Sequence, residues 1–376
     1  MNPLLLTVLL PYFYADNMVL QRDAEFIVRG TASPASLVTV TFDTFKAETK
    51  ASERGAFAVK MPRLPISKTG KTFTVLTSDN QTNVFQNVLV GDVWVAAGQS
   101  NMDFPVKAST ECKEVQKQAN DPCFRFLQYQ FQMPTSSAQW SLEQIEQAKT
   151  EKAFQGTWEV VIAENCGKMS SIAVQFGQLL RKQSADLPIG IIQIAVGGAP
   201  TEAFISEESL KAMKHRDVYP VWCLQRMNRN LSKSNGIGKH PFQPSTIYTH
   251  AIEPLAGFGT KGIIWYQGES NATDETNTRP LPDDYMLEVT KALRNDVTRI
   301  FGPVPFIMTM LPQMNRPWEP FRKIQEQVAK TSPHTGLIQT RDLGDERDVH
   351  PRHKTPFATR LAEEAKRMAY QNEKAL

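Results

Sequence analysis

Hydrophobic and polar positions alternate from residue to residue in the first part of the chain, and the rhythm changes near Val90. Between Leu5 and Leu89 the apolar alternations are short and broken by turn residues. Glu25–Arg29 runs into the turn Gly30-Thr-Ala-Ser-Pro34, and Ser36–Phe42 then alternates cleanly. Arg54-Gly55 turns into Ala56–Lys60, and Lys71–Leu76 alternates again before Asp79-Asn80. A period of two marks half-buried strands, so residues 1–90 are expected to form a small all-β, sandwich-like domain. None of its side chains carries obvious chemistry.

Beyond Val90, apolar runs that suit strands buried on both faces alternate with segments of helical period. Strands are predicted at Val93–Ala97, Arg125–Phe131, Ile189–Val196, Gly262–Tyr266, Val304–Met310 and Gly336–Arg341. Helices are predicted at Ser109–Gln118, Met169–Gln183, Pro244–Leu255, Asp283–Phe301, Pro320–Lys330 and Lys354–Tyr370. In the last of these, Phe357, Leu361, Ala362, Ala365 and Met368 share one face while Arg360, Glu363, Glu364 and Lys366 face away. Alternating strands and helices predict an α/β domain with a parallel sheet over residues 91–376. The segment Trp222–Gln243, rich in Asn, Ser, Gly and Lys, reads as irregular: a substrate loop, a lid or plain surface.

Chemistry gathers where the predicted strands end. Trp94-Val-Ala-Ala97 leads through Gly98-Gln99 to Ser100-Asn101-Met102, which would hold a hydroxyl at the carboxyl edge of a sheet. This is not a Gly-x-Ser-x-Gly elbow, because no glycine stands two places after the serine. Lys261–Tyr266 ends in Gln267, Gly268, Glu269 and Asn271. Near the carboxyl terminus, Asp342–Pro351 places His350 two residues after Asp348. A serine, an Asp/His pair and amide donors on separate loops are the components of acyl transfer.

These segments resemble the sialate O-acetylesterase-like family of the SGNH hydrolase superfamily. The resemblance is carried by Gly98-Gln-Ser-Asn-Met102, Val196-Gly-Gly-Ala-Pro-Thr-Glu202, Trp265-Tyr-Gln-Gly-Glu-Ser-Asn271, Asp348-Val-His-Pro351 and the early Asp16-Asn-Met-Val-Leu-Gln-Arg22. It implies an α/β fold of the SGNH type, a three-layer sandwich with a parallel sheet, preceded by the small N-terminal β-sandwich domain. It also implies a serine esterase that removes acetyl groups from carbohydrate. Ser100 would be the nucleophile, His350 the base and Asp348 the acid that orients it. In the wider superfamily that acid stands three residues before the histidine, a position held here by Arg347, so Asp345 stays open as the alternative. Gly198 and the Ser100 N–H would form an oxyanion hole with a side-chain amide from Gln267 or Asn271. Gln267 is preferred because it lies nearer the strand end. Glu202 and Glu269 would brace these loops. Met102, Phe104 and Pro105, just after the nucleophile, would close a small acyl pocket.

Composition bounds the alternatives. At 41% hydrophobic and 22% charged residues the chain belongs with globular proteins, and a net charge of +3 without a basic run gives no footprint for nucleic acid. The four cysteines lack metal or disulfide-framework spacing and read as thiols, with Cys112 and Cys123 close enough in sequence to pair. No cofactor or metal motif occurs, so none is expected. The apolar start, Met1–Pro11, lacks a basic n-region and a cleavage site and is too short to span a bilayer. A cytoplasmic protein without membrane contact is therefore expected, with secretion as the alternative and a homo-oligomer left open. Two other functions remain at this stage: an acetylxylan or general short-chain esterase, and a carbohydrate-binding protein without catalysis.

Overall fold

The computed structural model describes residues 8–371 apart from residues 137 and 185. Residues 1–7, on which the question of a leader segment turns, lie outside the described residues.

Six strands open the chain: β1 (Val19–Gln21), β2 (Phe26–Thr31), β3 (Leu37–Phe42), β4 (Phe45–Lys50), β5 (Ala56–Met61) and β6 (Ser67–Thr77). They lead to β7 (Thr82–Gly98), 17 residues long, which organises the whole molecule. Its first half pairs antiparallel with β6, and its middle pairs parallel with β1. From Asp92 onward it changes partners. Its second half lies parallel between two later strands, and the residue 90/91 boundary falls inside it. The N-terminal strands consequently do not stand apart as one closed unit. β3, β4 and β6 continue the main sheet through β7, and β2 with β5 forms a separate antiparallel pair.

The later strands are β8 (Phe124–Gln128), β9 (Gln130–Phe131), β10 (Phe154–Gln155), β11 (Trp158–Val160), β12 (Ile189–Ala195), β13 (Gly262–Tyr266), β14 (Phe306–Thr309) and β15 (Thr335–Ile338). The central order is β11-β8-β12-β7-β13-β14-β15, with β11 antiparallel to β8 and the other neighbours parallel. β12 and β13 are buried at every position, as expected of parallel strands covered on both faces.

Helices α1 (Ser100–Asp103), α2 (Cys112–Lys117), α3 (Leu142–Gln147) and α4 (Ser171–Gln183) follow β7 and its neighbours. Then come α5 (Glu207–Ala212), α6 (Val221–Asn230), α7 (Asp283–Phe301), α8 (Glu319–Thr331) and α9 (Thr355–Ala369). Adjacent β7 residues point to opposite faces. Trp94 meets Phe176 of α4 edge-on and donates its indole N–H to Tyr370, just past α9. Val95 and Ala97 instead face Leu293 and Val297 of α7. Helices therefore cover both faces of the sheet.

Several sequence expectations need adjustment. The predicted helix over 244–255 is a π-turn, Tyr248–Ile252, followed by a tight 3₁₀ turn at Glu253–Leu255 that contains Pro254. The predicted strand over 125–131 breaks at Tyr129, leaving β8 and β9. The segment read as irregular begins with the regular helix α6, whose buried residues are only Cys223, Met227 and Asn230. A single narrow stripe among polar residues looks like loop composition. All four cysteines are free thiols.

Candidate active site

β7 ends at Gly98, whose φ of +146° suits glycine, and a Cβ there would lie 2.0 Å from the Tyr266 carbonyl oxygen. That close approach to β13 lets the chain turn sharply, so Ser100 opens α1 at the sheet edge. Ser100 Oγ lies 2.8 Å from His350 Nε2. Residues 250 positions apart are thus in hydrogen contact, as nucleophile activation requires.

His350 is half-buried on the loop before α9. Burial pushes its pKa below the ordinary histidine value, and the Lys354 ammonium adds to this. The Asp348 carboxylate opposes them, while Arg316 acts in the same direction as Lys354. The ring therefore stays neutral, and able to accept a proton, at lower pH than an ordinary histidine. Asp348 meets His350 through the backbone: its Oδ1 accepts the His350 main-chain N–H at 2.8 Å. Asp345 accepts the N–H groups of Arg347 and Asp348 and so caps the same turn. Among the described residues no carboxylate hydrogen-bonds the His350 ring.

Gly197 and Gly198 follow β12 and come beside the serine; a Cβ on Gly197 would stand 3.7 Å from Ser100 Cβ. Gly198 has φ +80°, and a Cβ there would come within 3.0 Å of both Trp222 and Phe242. Among the described residues the N–H groups of Ser100 and Gly198 donate to no protein acceptor. Ser270 links the neighbouring loops, with Oγ 2.9 Å from Gln99 Oε1 and 3.2 Å from the Gly198 carbonyl.

Gln267 and Asn271 lie elsewhere. Gln267 Nε2 donates to Asn271 Oδ1 at 2.7 Å and to the Ala199 carbonyl at 3.4 Å. Asn271 Nδ2 donates to Glu202 Oε2 at 2.9 Å and to the Tyr285 hydroxyl at 2.8 Å. Both side chains are buried and neither lines the cleft. The expectation that one of these amides faces an oxyanion is corrected on this geometry, because their N–H groups already serve an internal network. Glu202 belongs to the same network, held by Asn271 and Tyr285, and burial raises its pKa.

Ser100 and His350 open onto a cleft of about 550 Å³. Its walls include Trp222, Arg226, Phe242, Asn277 and Arg316, none of which was singled out from sequence. Trp222 and Phe242 lie within the segment read as irregular, near its two ends, where aromatic residues amid polar ones were the available signal. Met102, Phe104 and Pro105 are not among the lining residues: Met102 is fully buried, and the Lys354 ammonium lies 4.6 Å from the centre of the Phe104 ring. The expected acyl wall is therefore not part of the cleft, where Trp222 and Phe242 stand beside Gly198 instead. Among the described residues no cluster of metal-ligating side chains occurs.

The chain is similar to known proteins in sequence and in fold. The sequence profile of the family described as carbohydrate esterase, sialic acid-specific acetylesterase, matches residues 90–367. The sialate O-acetylesterases of Pongo abelii and Homo sapiens are each 28% identical over 394 aligned residues, covering 94% of this chain and 70% of theirs. The crystal structure of a carbohydrate acetylesterase from Xanthomonas citri superposes with a TM-score of 0.75 at 27% identity, covering 97% of this chain and 76% of that one. With the matched region spanning well over half of its length, this chain belongs to the carbohydrate esterase family of sialic acid-specific acetylesterases.

Proposed function

We propose that the protein hydrolyses acetyl esters on carbohydrate through an acetyl-serine intermediate. The observation that carries this reading is the 2.8 Å contact between Ser100 Oγ and His350 Nε2 at the floor of an open cleft. Ser100 Oγ attacks the acetyl carbon while its proton passes to Nε2. The tetrahedral oxyanion accepts from the N–H groups of Ser100 and Gly198, where each preorganised donor contributes about 2.7–4 kcal/mol to lowering the barrier. Collapse breaks the ester C–O bond, and Nε2–H protonates the departing sugar oxygen. Water then attacks the acetyl-serine with the same base, releasing acetate and restoring Ser100. Asp348 acts by holding the His350 backbone and by its charge.

In this reading β1–β6 form a sandwich-like frame, and the remainder is an SGNH-type three-layer sandwich; the support is the sheet covered by helices on both faces. Arg226 and Arg316 on the cleft wall favour an acidic sugar, since guanidinium groups suit a carboxylate such as that of sialic acid. The test measures acetate release from acetylated sialic acid, acetylated xylooligosaccharides and an aryl acetate, with Ser100→Ala as the control. Turnover fastest on the sialic acid ester and abolished by the substitution is expected. Absence of turnover on all three would return the protein to the carbohydrate-binding reading.

A further inference from the structure

Asn101 follows the nucleophile in the chain and is fully buried. Its amide reaches three partners on two other segments. Nδ2 donates to Glu269 Oε1 at 2.6 Å, on the loop after β13, and to the Val349 carbonyl at 2.9 Å, one residue before His350. Oδ1 accepts from Lys354 Nζ at 2.7 Å. A carbonyl can only accept, so Val349 fixes which end of the amide carries the N–H groups, and the oxygen faces Lys354. The two N–H groups are then directed at Glu269 and at the Val349 carbonyl.

Lys354 is as buried as Asn101, with its ammonium 4.6 Å from the Phe104 ring centre and 5.6 Å from that of Phe357. Burial lowers its pKa to about 7 against the opposing pull of Glu269, and burial raises that of Glu269. Burying an ammonium and a carboxyl group costs more than filling the same space with apolar side chains. Such an arrangement contributes orientation more than stability. The orientation at issue is that of His350, whose ring has no carboxylate partner among the described residues. Its backbone is held at two adjacent points: Asp348 takes the His350 N–H, and Asn101 takes the Val349 carbonyl.

We propose that Asn101 is the positioning residue that holds His350 against Ser100, with Lys354 and Glu269 clamping its amide in the working orientation. The proposal rests on Ser100 and His350 being nucleophile and base. It differs from the usual orienting acid in acting through the main chain of the histidine loop.

Asn101→Asp is the direct test. It keeps the side-chain size and an acceptor for Lys354, but removes both N–H donors. A small displacement of a catalytic group lowers kcat by about 100-fold, and that loss is expected here. KM should stay within about threefold, because Asn101 itself does not line the cleft. A folded Asn101→Asp with wild-type kcat, or a KM that rises by the factor kcat falls, overturns the proposal. Should this variant fail to fold, Lys354→Met preserves the apolar stem and is expected to lose about tenfold in kcat. Adding Glu269→Gln to Lys354→Met should recover part of that loss by removing the uncompensated carboxyl group; a double variant no faster than the single one overturns the clamp. Labelling by a serine-directed phosphonate separates this idea from the one beneath it. Wild type unlabelled at Ser100 removes the nucleophile assignment and this proposal together. Equal labelling rates in wild type and Asn101→Asp remove this proposal alone.

Discussion

Two buried polar clusters grow from neighbouring strand ends of the same sheet, and only one opens onto the cleft. In the closed cluster Thr201, Glu202, Gln267, Asn271 and Tyr285 answer one another's donors and acceptors. In the open cluster the N–H groups of Ser100 and Gly198 have no protein acceptor among the described residues, and Ser100 has only His350. Ser100 and Gly198 are half-buried and line the cleft, so their N–H groups stand where a ligand oxygen can accept from them. The closed cluster shows the opposite condition, in which amides of the same type serve as bracing. Amide residues after a strand thus identify the edge of the sheet but not which of them faces the substrate.

The sharpest way to break this comparison is at the open cluster. Ser100→Ala should lower kcat by at least about 10⁴-fold, with an unchanged melting temperature. His350→Ala should cost nearly as much, and the double variant little more than either alone. Separate, additive losses measured by steady-state kinetics would mean that the two do not act as one unit. Gly198→Ala comes next: the new methyl meets Trp222 and Phe242 at 3.0 Å on a backbone with φ +80°. Displacing that N–H should cost about 100-fold in kcat.

Trp222→Ala tests the wall of the open cluster through specificity. With wild type the rate on p-nitrophenyl esters should fall steeply from acetate to butyrate. The variant should flatten that series by about 10-fold, since one methylene in a pocket is worth about 1–3 kcal/mol. Rates that rise toward octanoate in wild type would describe a lipid esterase instead. Asn271→Ala probes the closed cluster, where it strands the Glu202 and Tyr285 partners. The expected effect is a loss of about 1–3 kcal/mol in stability, read as a lower melting temperature, with kcat near wild type. A large fall in kcat at unchanged stability would return Asn271 to the oxyanion site.

The smallest effect is in the pH profile. Because the His350 pKa is lowered in the folded protein, the base is lost only as pH falls through that depressed value. The acid limb of kcat/KM should lie below the ordinary histidine range of about 6.5. Asp348→Asn removes the influence that raises the pKa and should move the limb lower still, with little change at neutral pH.

Much of this comparison was legible in the chain itself. Strands buried on both faces announced themselves as apolar runs, and β13 and α7 have the predicted limits because Gly262 and Pro282 punctuate them. Ser100 was marked by its place after a buried apolar strand, while His350 and Gly198 drew notice through motifs that resemble the sialate O-acetylesterase-like family. Side-chain direction was not legible: Gln267 and Asn271 differ from a cleft amide only in how the Thr201 loop packs over them. Lys354 gave no signal either, since a lysine beside a histidine reads as surface until α9 and the Asn101 carbonyl are seen to enclose it. The wall residue Arg226 lies on α6, whose narrow buried stripe reads as loop composition, and Arg316 lies on the loop before α8.

β7 carries the N-terminal hairpins on one half and delivers Ser100 from the other. At its midpoint the buried Asp92 accepts from Arg22 at 2.9 and 3.1 Å and from Gln21 at 2.9 Å, while Gln21 accepts the Val93 N–H at 2.9 Å. A shared strand pinned at its centre couples fraying at one end to the other, so the two halves of the chain should melt as one cooperative unit. Slow amide exchange should therefore run without a break through the residue 90/91 boundary, from Val88 to Ala97. Ser100 would then owe its fixed position in part to strands that do not line the cleft.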